Sequence, residues 1–364
     1  MAQAFRFRVM QPPWLGVAIA SASSSALQLL ERCQAQPSTN PGINNDCGWA
    51  ASELGNLTGA VHYYQLGADH ARPGSKYWAQ LLYYLGVVQL RLGLEAEASS
   101  RLVGLFEHEE FSRAEAEVAW WHHLLLALRT AGRHDEADHW FKEATKNPMV
   151  KWRHPWQIPP VVEKRMLDGA APYHEASAFP VSQLLQDHAE DLLAEFQTHN
   201  VGSLPFEVQS GESELVVRGS WRHLYLKQLN GSWSEQGCDL FPRACAVLRG
   251  HPGIDGVFHP NNRKRTVGSQ SVAYLELAPG SKLRLHTGRN NYRLLAHLGL
   301  VTPPGALMTV GGETREWVRG KVMVVDDSFL HEVEHTGGEP RYILYASFLP
   351  PVLEPKLEDS RAEL

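Results

Sequence analysis

The sequence predicts an α+β protein with its two kinds of element segregated, all-α helical repeats first and a β domain of barrel or jelly-roll type after them. Three observations predict it. Between Trp49 and Pro148, apolar residues recur at three- and four-residue spacing, the period of an amphipathic helix. From Trp221 onward, short alternating apolar runs are separated by Gly, Pro, Asn and Asp turns. The chain is 364 residues long and 43% apolar, enough for two ordinary cores.

The first 45 residues read as a tail. Arg6 and Arg8 precede the apolar run from Trp14 to Ala20, small residues follow, and the first acidic residue is Glu31. That order fits a weak secretory signal, an organelle transit peptide or a plain tail, and a polar linker follows from Gln34 to Asn45. Residues 46–148 then form the helical part. Leu82, Leu85, Gly86 and Gln89, followed by Ala98, Leu102 and Leu105, are echoed by Trp121, Leu124, Leu125 and Leu128, followed by Ala137, Phe141, Ala144 and Pro148. Two helix pairs aligned in this way resemble tetratricopeptide repeats, and a more degenerate pair precedes them from Trp49 to Ala71. The histidines here, His122-His123 and His134 with His139, do not share helix faces as metal pairs would, and they read as packed or solvated. Trp120 and Trp121 read as core or groove lining.

The run from Trp152 to Pro160 breaks the helical period and marks the boundary of a second domain, residues 149–364. A helix is predicted from Val181 to Gln197. Strands are predicted over Trp221–Lys227, Ser271–Leu277, Lys282–His286, Arg293–Leu300, Leu307–Val310, Lys321–Val325 and Arg341–Phe348, and so many short strands suggest a barrel or jelly roll. The net charge of −6 and pI near 6.3 leave no basic footprint for nucleic acid. No apolar window is long enough for a transmembrane segment. Of the four cysteines, Cys33 and Cys47 lie near the N-terminus and Cys238 and Cys245 in the β domain, and neither spacing is doubled as a structural zinc site requires.

The chemistry-bearing residues are His286-Thr287-Gly288, Asp326-Asp327-Ser328-Phe329-Leu330-His331 and Arg341. A non-haem Fe(II) oxygenase presents two histidines and a carboxylate on one side of the metal and leaves the other positions open. The carboxylate normally stands two residues after the first histidine, where this chain has Gly288, so the pattern is either degenerate or a two-histidine version.

The run HTGRNNYRLLAHLGLVTPP from His286, the run VGGETREWVRGKVMVVDDSFLHEV through Val333, and Arg341-Tyr342-Ile343-Leu344 closely resemble the catalytic domain of the aspartyl/asparaginyl β-hydroxylases. The resemblance covers about Val150 to Pro351 and is densest after Trp221. It implies a double-stranded β-helix (jelly roll), 2-oxoglutarate as co-substrate beside O2, and Fe(II) held by His286 and His331 alone, so that Gly288 becomes a family mark. It also implies that Arg341 receives the distal carboxylate of 2-oxoglutarate, that His297 contacts the end nearer the metal, and that Trp221 lines the pocket. Arg293 alternates onto the face of His297. Between them the family has a second arginine where this chain has Leu295, and Leu275 stands where a hydroxyl residue would help hold the co-substrate. Asp327, the one candidate catalytic carboxylate, would orient His331 or metal-bound water, with a plain turn aspartate as the alternative.

The resemblance further implies a bridge between Cys238 and Cys245, as in the animal members, and hence a lean toward the secretory pathway or ER lumen, the cytoplasm being the alternative. Asn56-Leu57-Thr58 and Asn230-Gly231-Ser232 would be glycosylation acceptors there. The implied activity is hydroxylation of the β-carbon of aspartyl or asparaginyl residues in a peptide or protein substrate, and helical repeats beside the catalytic mouth would suit such a substrate. Two alternatives stand against it. One is a pseudoenzyme whose repeats bind a partner, which Leu295 and Leu275 favour. The other is a related oxygenase acting on a small molecule, as a hydroxylase or a halogenase.

Overall fold

The computed structural model describes residues 19–208, 213–258 and 270–354. Of the targeting signal read from Arg6 through the small residues after Ala20, the part up to residue 18 lies outside them. The chain divides into two units, Met1–Asn147 and Pro148–Leu364.

Among the described residues the first unit has seven α-helices: α1 (Ile19–Ala35), α2 (Pro41–Glu53), α3 (Leu57–His70), α4 (Lys76–Arg91), α5 (Glu95–Glu107), α6 (Val118–Thr130) and α7 (His134–Ala144). Two of them lie where a tail and a linker were expected. Ala26 and Leu30 on α1 join Ala50, Ala51, Tyr64 and Leu81 in one core, and Cys33 is bridged to Cys47 on α2. The segment escaped recognition because its buried residues, Ala26, Leu30, Cys33, Asn44 and Cys47, are mostly small or polar and give little hydrophobic contrast. From α2 onward the helices follow as helix–turn–helix units, consistent with a repeat array. Asn40, Asn56 and Ser75 cap α2, α3 and α4 by accepting from backbone N–H groups of the first turn. Gly86 lets α4 approach α5, since a Cβ there would lie 2.8 Å from Cγ of Leu102.

Among the described residues neither histidine pair belongs to a group of three or more His, Cys, Asp or Glu side chains placed to hold a metal. His123 contacts the Tyr83 hydroxyl and the Ala119 carbonyl, and burial lowers its pKa to about 4, while His139 is exposed against Trp140. Trp121 is core, and Trp120 stacks on Tyr83 at 4.4 Å.

Among the described residues the second unit carries eleven strands: β1 (Tyr173–His174), β2 (Val216–Arg218), β3 (Trp221–Lys227), β4 (Val272–Leu277), β5 (Lys282–His286), β6 (Leu294–Val301), β7 (Ala306–Val310), β8 (Glu313–Glu316), β9 (Val322–Val325), β10 (His331–His335) and β11 (Arg341–Phe348). They form two antiparallel sheets, β1-β9-β6-β11-β4-β3 and β2-β5-β10-β7-β8. From β4 to β11 the chain crosses repeatedly between the sheets, only β7 and β8 remaining in one. That winding is a double-stranded β-helix, so the fold class is α+β with a jelly roll after the helices.

Each strand of the larger sheet has two destinations. Leu294, Ala296, Leu298 and Leu300 of β6 enter a core shared with Val181, Leu185, Leu192 and Phe196, while Leu295 faces the space between the sheets with Leu275, Ile343 and Met308. The single helix expected over Val181–Gln197 is two, α8 (Pro180–Asp187) and α9 (Ala189–Gln197), because His188 between them adopts φ −99°, ψ 10°. The break turns both apolar stripes onto the same sheet. Cys238 and Cys245 form a disulfide between α10 (Glu235–Leu240) and α11 (Pro242–Leu248). Among the described residues no helix is long and apolar enough to cross a membrane.

The close approach at Gly86 makes a direct prediction. Gly86→Val forces a branched side chain into Leu102 and should destabilise the helical unit by about 1–3 kcal/mol, the usual cost of overpacking. Denaturant unfolding followed by helical circular dichroism measures it, and an unchanged midpoint would show that these helices move apart freely.

Candidate active site

The site begins with a strand irregularity. β5 and β10 pair His286 with His331, yet two residues later on β10 the partner of Val333 is Leu283, three residues from His286. A regular ladder would send Leu283 and His286 to opposite faces, and the bulge returns both to the inside. The two imidazole centroids lie 4.1 Å apart.

Backbone carbonyls then set the tautomers. Nδ1 of His286 lies 2.8 Å from the Arg284 carbonyl, and Nδ1 of His331 lies 2.9 Å from the Phe329 carbonyl. A carbonyl only accepts, so each Nδ1 carries the proton and each Nε2 keeps its lone pair. Burial lowers the pKa of His286 to about 3, with His331 as second cause, and that of His331 to about 4. Both rings are therefore neutral near pH 7, the form that binds a metal.

Where a third ligand is customary, the structure has a close contact. A Cβ on Gly288 would fall 2.7 Å from Cγ and both carboxylate oxygens of Asp327, and the Gly288 N–H donates to the Asp327 carbonyl at 2.6 Å. Asp327 Oδ2 accepts from Nη2 of Arg293 at 2.8 Å, while the buried Oδ1 has no partner. The carboxylate holds Arg293 firmly protonated. The charge of Arg293, expected to face the co-substrate, is thus taken up by Asp327. Among the described residues no group of three or more His, Cys, Asp or Glu side chains could hold a metal, so the protein would offer one two imidazoles.

The turn that delivers His331 is anchored from a distance. Asp326 is buried, accepts from Ser328 and from Nε2 of Gln157, and burial raises its pKa to about 7. Gln157 also donates to Ser328 Oγ at 3.0 Å, and Leu330 N–H donates to the Trp156 carbonyl at 2.7 Å. The aromatic segment that reads as a domain boundary is therefore a brace for the site.

Deeper in the barrel, Arg341 and Ile343 of β11 face inward with His297 and Leu295 of β6. Arg341 is 2% exposed, its Nε lacks a partner, and no carboxylate lies within ion-pair range among the described residues. Desolvation lowers its pKa to about 9, so the guanidinium is charged and uncompensated at pH 7. Its charge adds to burial in lowering His297 to about 3 and His223 to about 4. Trp221 is half-buried and packs on His223 at 4.6 Å. Leu275 and Leu295 are both buried, so this wall is apolar.

A buried unpaired guanidinium, two neutral imidazoles on one ladder and an orphaned carboxylate oxygen together define a jelly-roll pocket suited to a cation and an anionic ligand. The comparisons agree with that class. Residues 184–351 match the model of the aspartyl/asparaginyl β-hydroxylase family. Mouse aspartyl/asparaginyl β-hydroxylase is 33% identical over 148 residues, 40% of this chain and 18% of that protein. Mouse aspartate β-hydroxylase domain-containing protein 1 is 42% identical over 107 residues, 29% of this chain and 27% of that protein. The matches thus span well under half of these relatives. A Streptomyces hygroscopicus HygX structure with nickel and 2-oxoglutarate bound overlaps 44% of this chain and 79% of its own at 13% identity and a TM-score of 0.29, a likeness too slight to add to the sequence match.

Sequence reading missed His223, Gln157 and Trp317, the last of which touches both His297 and Arg341. A tryptophan in a strand-rich region and a glutamine before a proline pair look like ordinary packing and loop residues, and no motif distinguishes them.

The four depressed histidines of the site, His223, His286, His297 and His331, predict acid sensitivity of the metal-free protein. Between their ordinary pKa near 6.5 and their folded values, only the unfolded chain binds those protons, so stability falls as the pH falls, by up to about 1.4 kcal/mol per unit for each group. Asp326 acts in the opposite sense, being protonated first in the folded state, but it is one group against four. Urea unfolding at pH 7, 6 and 5 should show a declining midpoint, and a flat or rising one would mean that these rings are solvated or paired.

Proposed function

We propose that this chain is an Fe(II)- and 2-oxoglutarate-dependent dioxygenase that hydroxylates the β-carbon of aspartyl or asparaginyl residues in a peptide or protein. The observation that carries the reading is Arg341. A buried cation without a partner is costly to fold around unless a ligand completes it, and a guanidinium in that setting takes a carboxylate through two parallel charge-assisted hydrogen bonds. A dicarboxylate with one end on Arg341 leaves its other end for His297 and the region of the histidine pair.

The residues present fit iron. His286 and His331 would hold it through their free Nε2 atoms, and Asp327, pinned by Arg293, would accept a hydrogen bond from a water in the same space. With 2-oxoglutarate and O2, iron supplies the oxidising chemistry typical of a two-histidine site with open positions. The chain's own residues bind and orient. Arg341 and His297 fix the co-substrate, the Asp326-to-Leu330 turn holds His331 in line, and Leu275, Leu295, Ile343 and Met308 keep water from the barrel interior. The names of the relatives support aspartyl or asparaginyl groups as the target, and two disulfides among four cysteines with none free support an oxidising compartment.

The decisive test is anaerobic loading with Fe(II), addition of 2-oxoglutarate and O2, and mass spectrometry of a peptide library for a single added oxygen together with succinate formation. Absence of both would favour a binding-only role. Arg341→Ala should weaken 2-oxoglutarate by roughly 2–5 kcal/mol while iron content stays near normal. Unchanged co-substrate affinity would move the carboxylate site elsewhere.

The apolar wall makes a separate prediction. With Leu295 and Leu275 in place of polar groups, the natural protein should discriminate weakly between matched aspartyl and asparaginyl peptides, or prefer a less acidic residue. Leu295→Arg should raise selectivity for aspartate if the longer side chain fits without overpacking. Strong aspartate selectivity in the natural protein, untouched by the substitution, would mean that another residue supplies the charge.

A further inference from the structure

Trp317 lies in the connection after β8 and is 5% exposed. Its Nε1–H donates to Nδ1 of His297 at 3.3 Å. An indole nitrogen can only donate, so Nδ1 of His297 must be the acceptor nitrogen of a neutral ring, and its proton must sit on Nε2. That Nε2 is buried and has no partner, leaving an N–H group to be completed by something else. Tyr345 stands across the strand from His297, with ring centroids 5.6 Å apart, but Trp317 is the group that hydrogen-bonds to the imidazole among the described residues. The indole has a second contact. The guanidinium of Arg341 lies 4.5 Å from its ring centroid, with Nε of that arginine also unpartnered.

We propose that Trp317 is a positioning residue for co-substrate binding: its N–H fixes His297 as an Nε2–H donor, and its ring face holds the guanidinium of Arg341 turned toward the same ligand. Both groups are then presented to one acceptor-rich molecule, a 2-oxo dicarboxylate. The inference rests on the co-substrate reading given above. Without the indole N–H, His297 can take the other tautomer, which turns a lone pair toward the ligand carboxylate. Without the ring, Arg341 loses its π contact in a setting where no carboxylate replaces it.

The test uses the full chain loaded with Zn(II), which is diamagnetic and supports no turnover. In protein labelled with 15N-histidine, the His297 resonances, assigned by their loss in His297→Gln, should show Nδ1 unprotonated and Nε2 protonated. Trp317→Phe keeps a ring face and removes the donor, so the His297 nitrogen shifts should move toward a tautomer mixture and 2-oxoglutarate should bind about tenfold more weakly, as for loss of one hydrogen bond to a charged ligand. Trp317→Leu should weaken it further. A His297 that is Nδ1-protonated in the natural protein overturns the proposal whether or not any variant folds. It is overturned equally if Trp317→Phe folds and leaves either the His297 spectrum or the co-substrate affinity as in the natural protein. Should the natural protein bind no 2-oxoglutarate, the functional reading fails, and the His297 spectrum still decides whether Trp317 sets the tautomer.

Discussion

The bulged pairing of β5 with β10 is the constraint on which the site depends. It places His286 opposite His331 and turns both inward, although Leu283 three residues earlier also faces the barrel. The carbonyls of Arg284 and Phe329 then settle the protonation of each ring through strand geometry alone. Neither imidazole needs a carboxylate partner to be oriented. The brace from Trp156 and Gln157 to the Asp326–Leu330 turn holds the far end of the same ladder, so residues before the first strand of the jelly roll share in fixing His331 near its last.

Around this pair, charge is distributed unevenly. Asp327 and Arg293 neutralise each other beside Gly288, whose lack of a side chain is what admits the Asp327 carboxylate. The glycine and the aspartate are therefore one arrangement, and a larger residue at 288 would displace the carboxylate. Arg341, by contrast, has no anion in ion-pair range among the described residues and lies between neutral histidines and against an indole. One buried arginine of the β unit is thus paired within the chain, while the other is held against an aromatic face.

Much of the β unit was legible in its sequence. Alternation of apolar residues located β3, β5 and β11 to the residue, and β4, β6, β7 and β9 to within one at each end. β10 escaped because its inward positions are His331, Val333 and His335, a pattern that does not look hydrophobic although all three are buried. β8 is exposed throughout and shows no alternation. In the first unit, α1 and the start of α2 were hidden by small residues, and the bridge between Cys33 and Cys47 could not be inferred from spacing.

The sequence by itself determined the fold class, the helical period before Pro148, the candidate histidines and arginine, and the substitution of leucine at 275 and 295. These are local properties, written in residue type and in spacing along one strand or helix. Tertiary structure alone decided that Arg293 belongs to Asp327, that Gln157 braces the Asp326–Leu330 turn, and that Trp317 joins His297 to Arg341. Each of those contacts joins separate elements of the fold, 20 to 171 positions apart along the chain where hydrogen bonds link them. Their strength depends on burial and on which neighbours remain unpaired, and no periodicity in the chain records either.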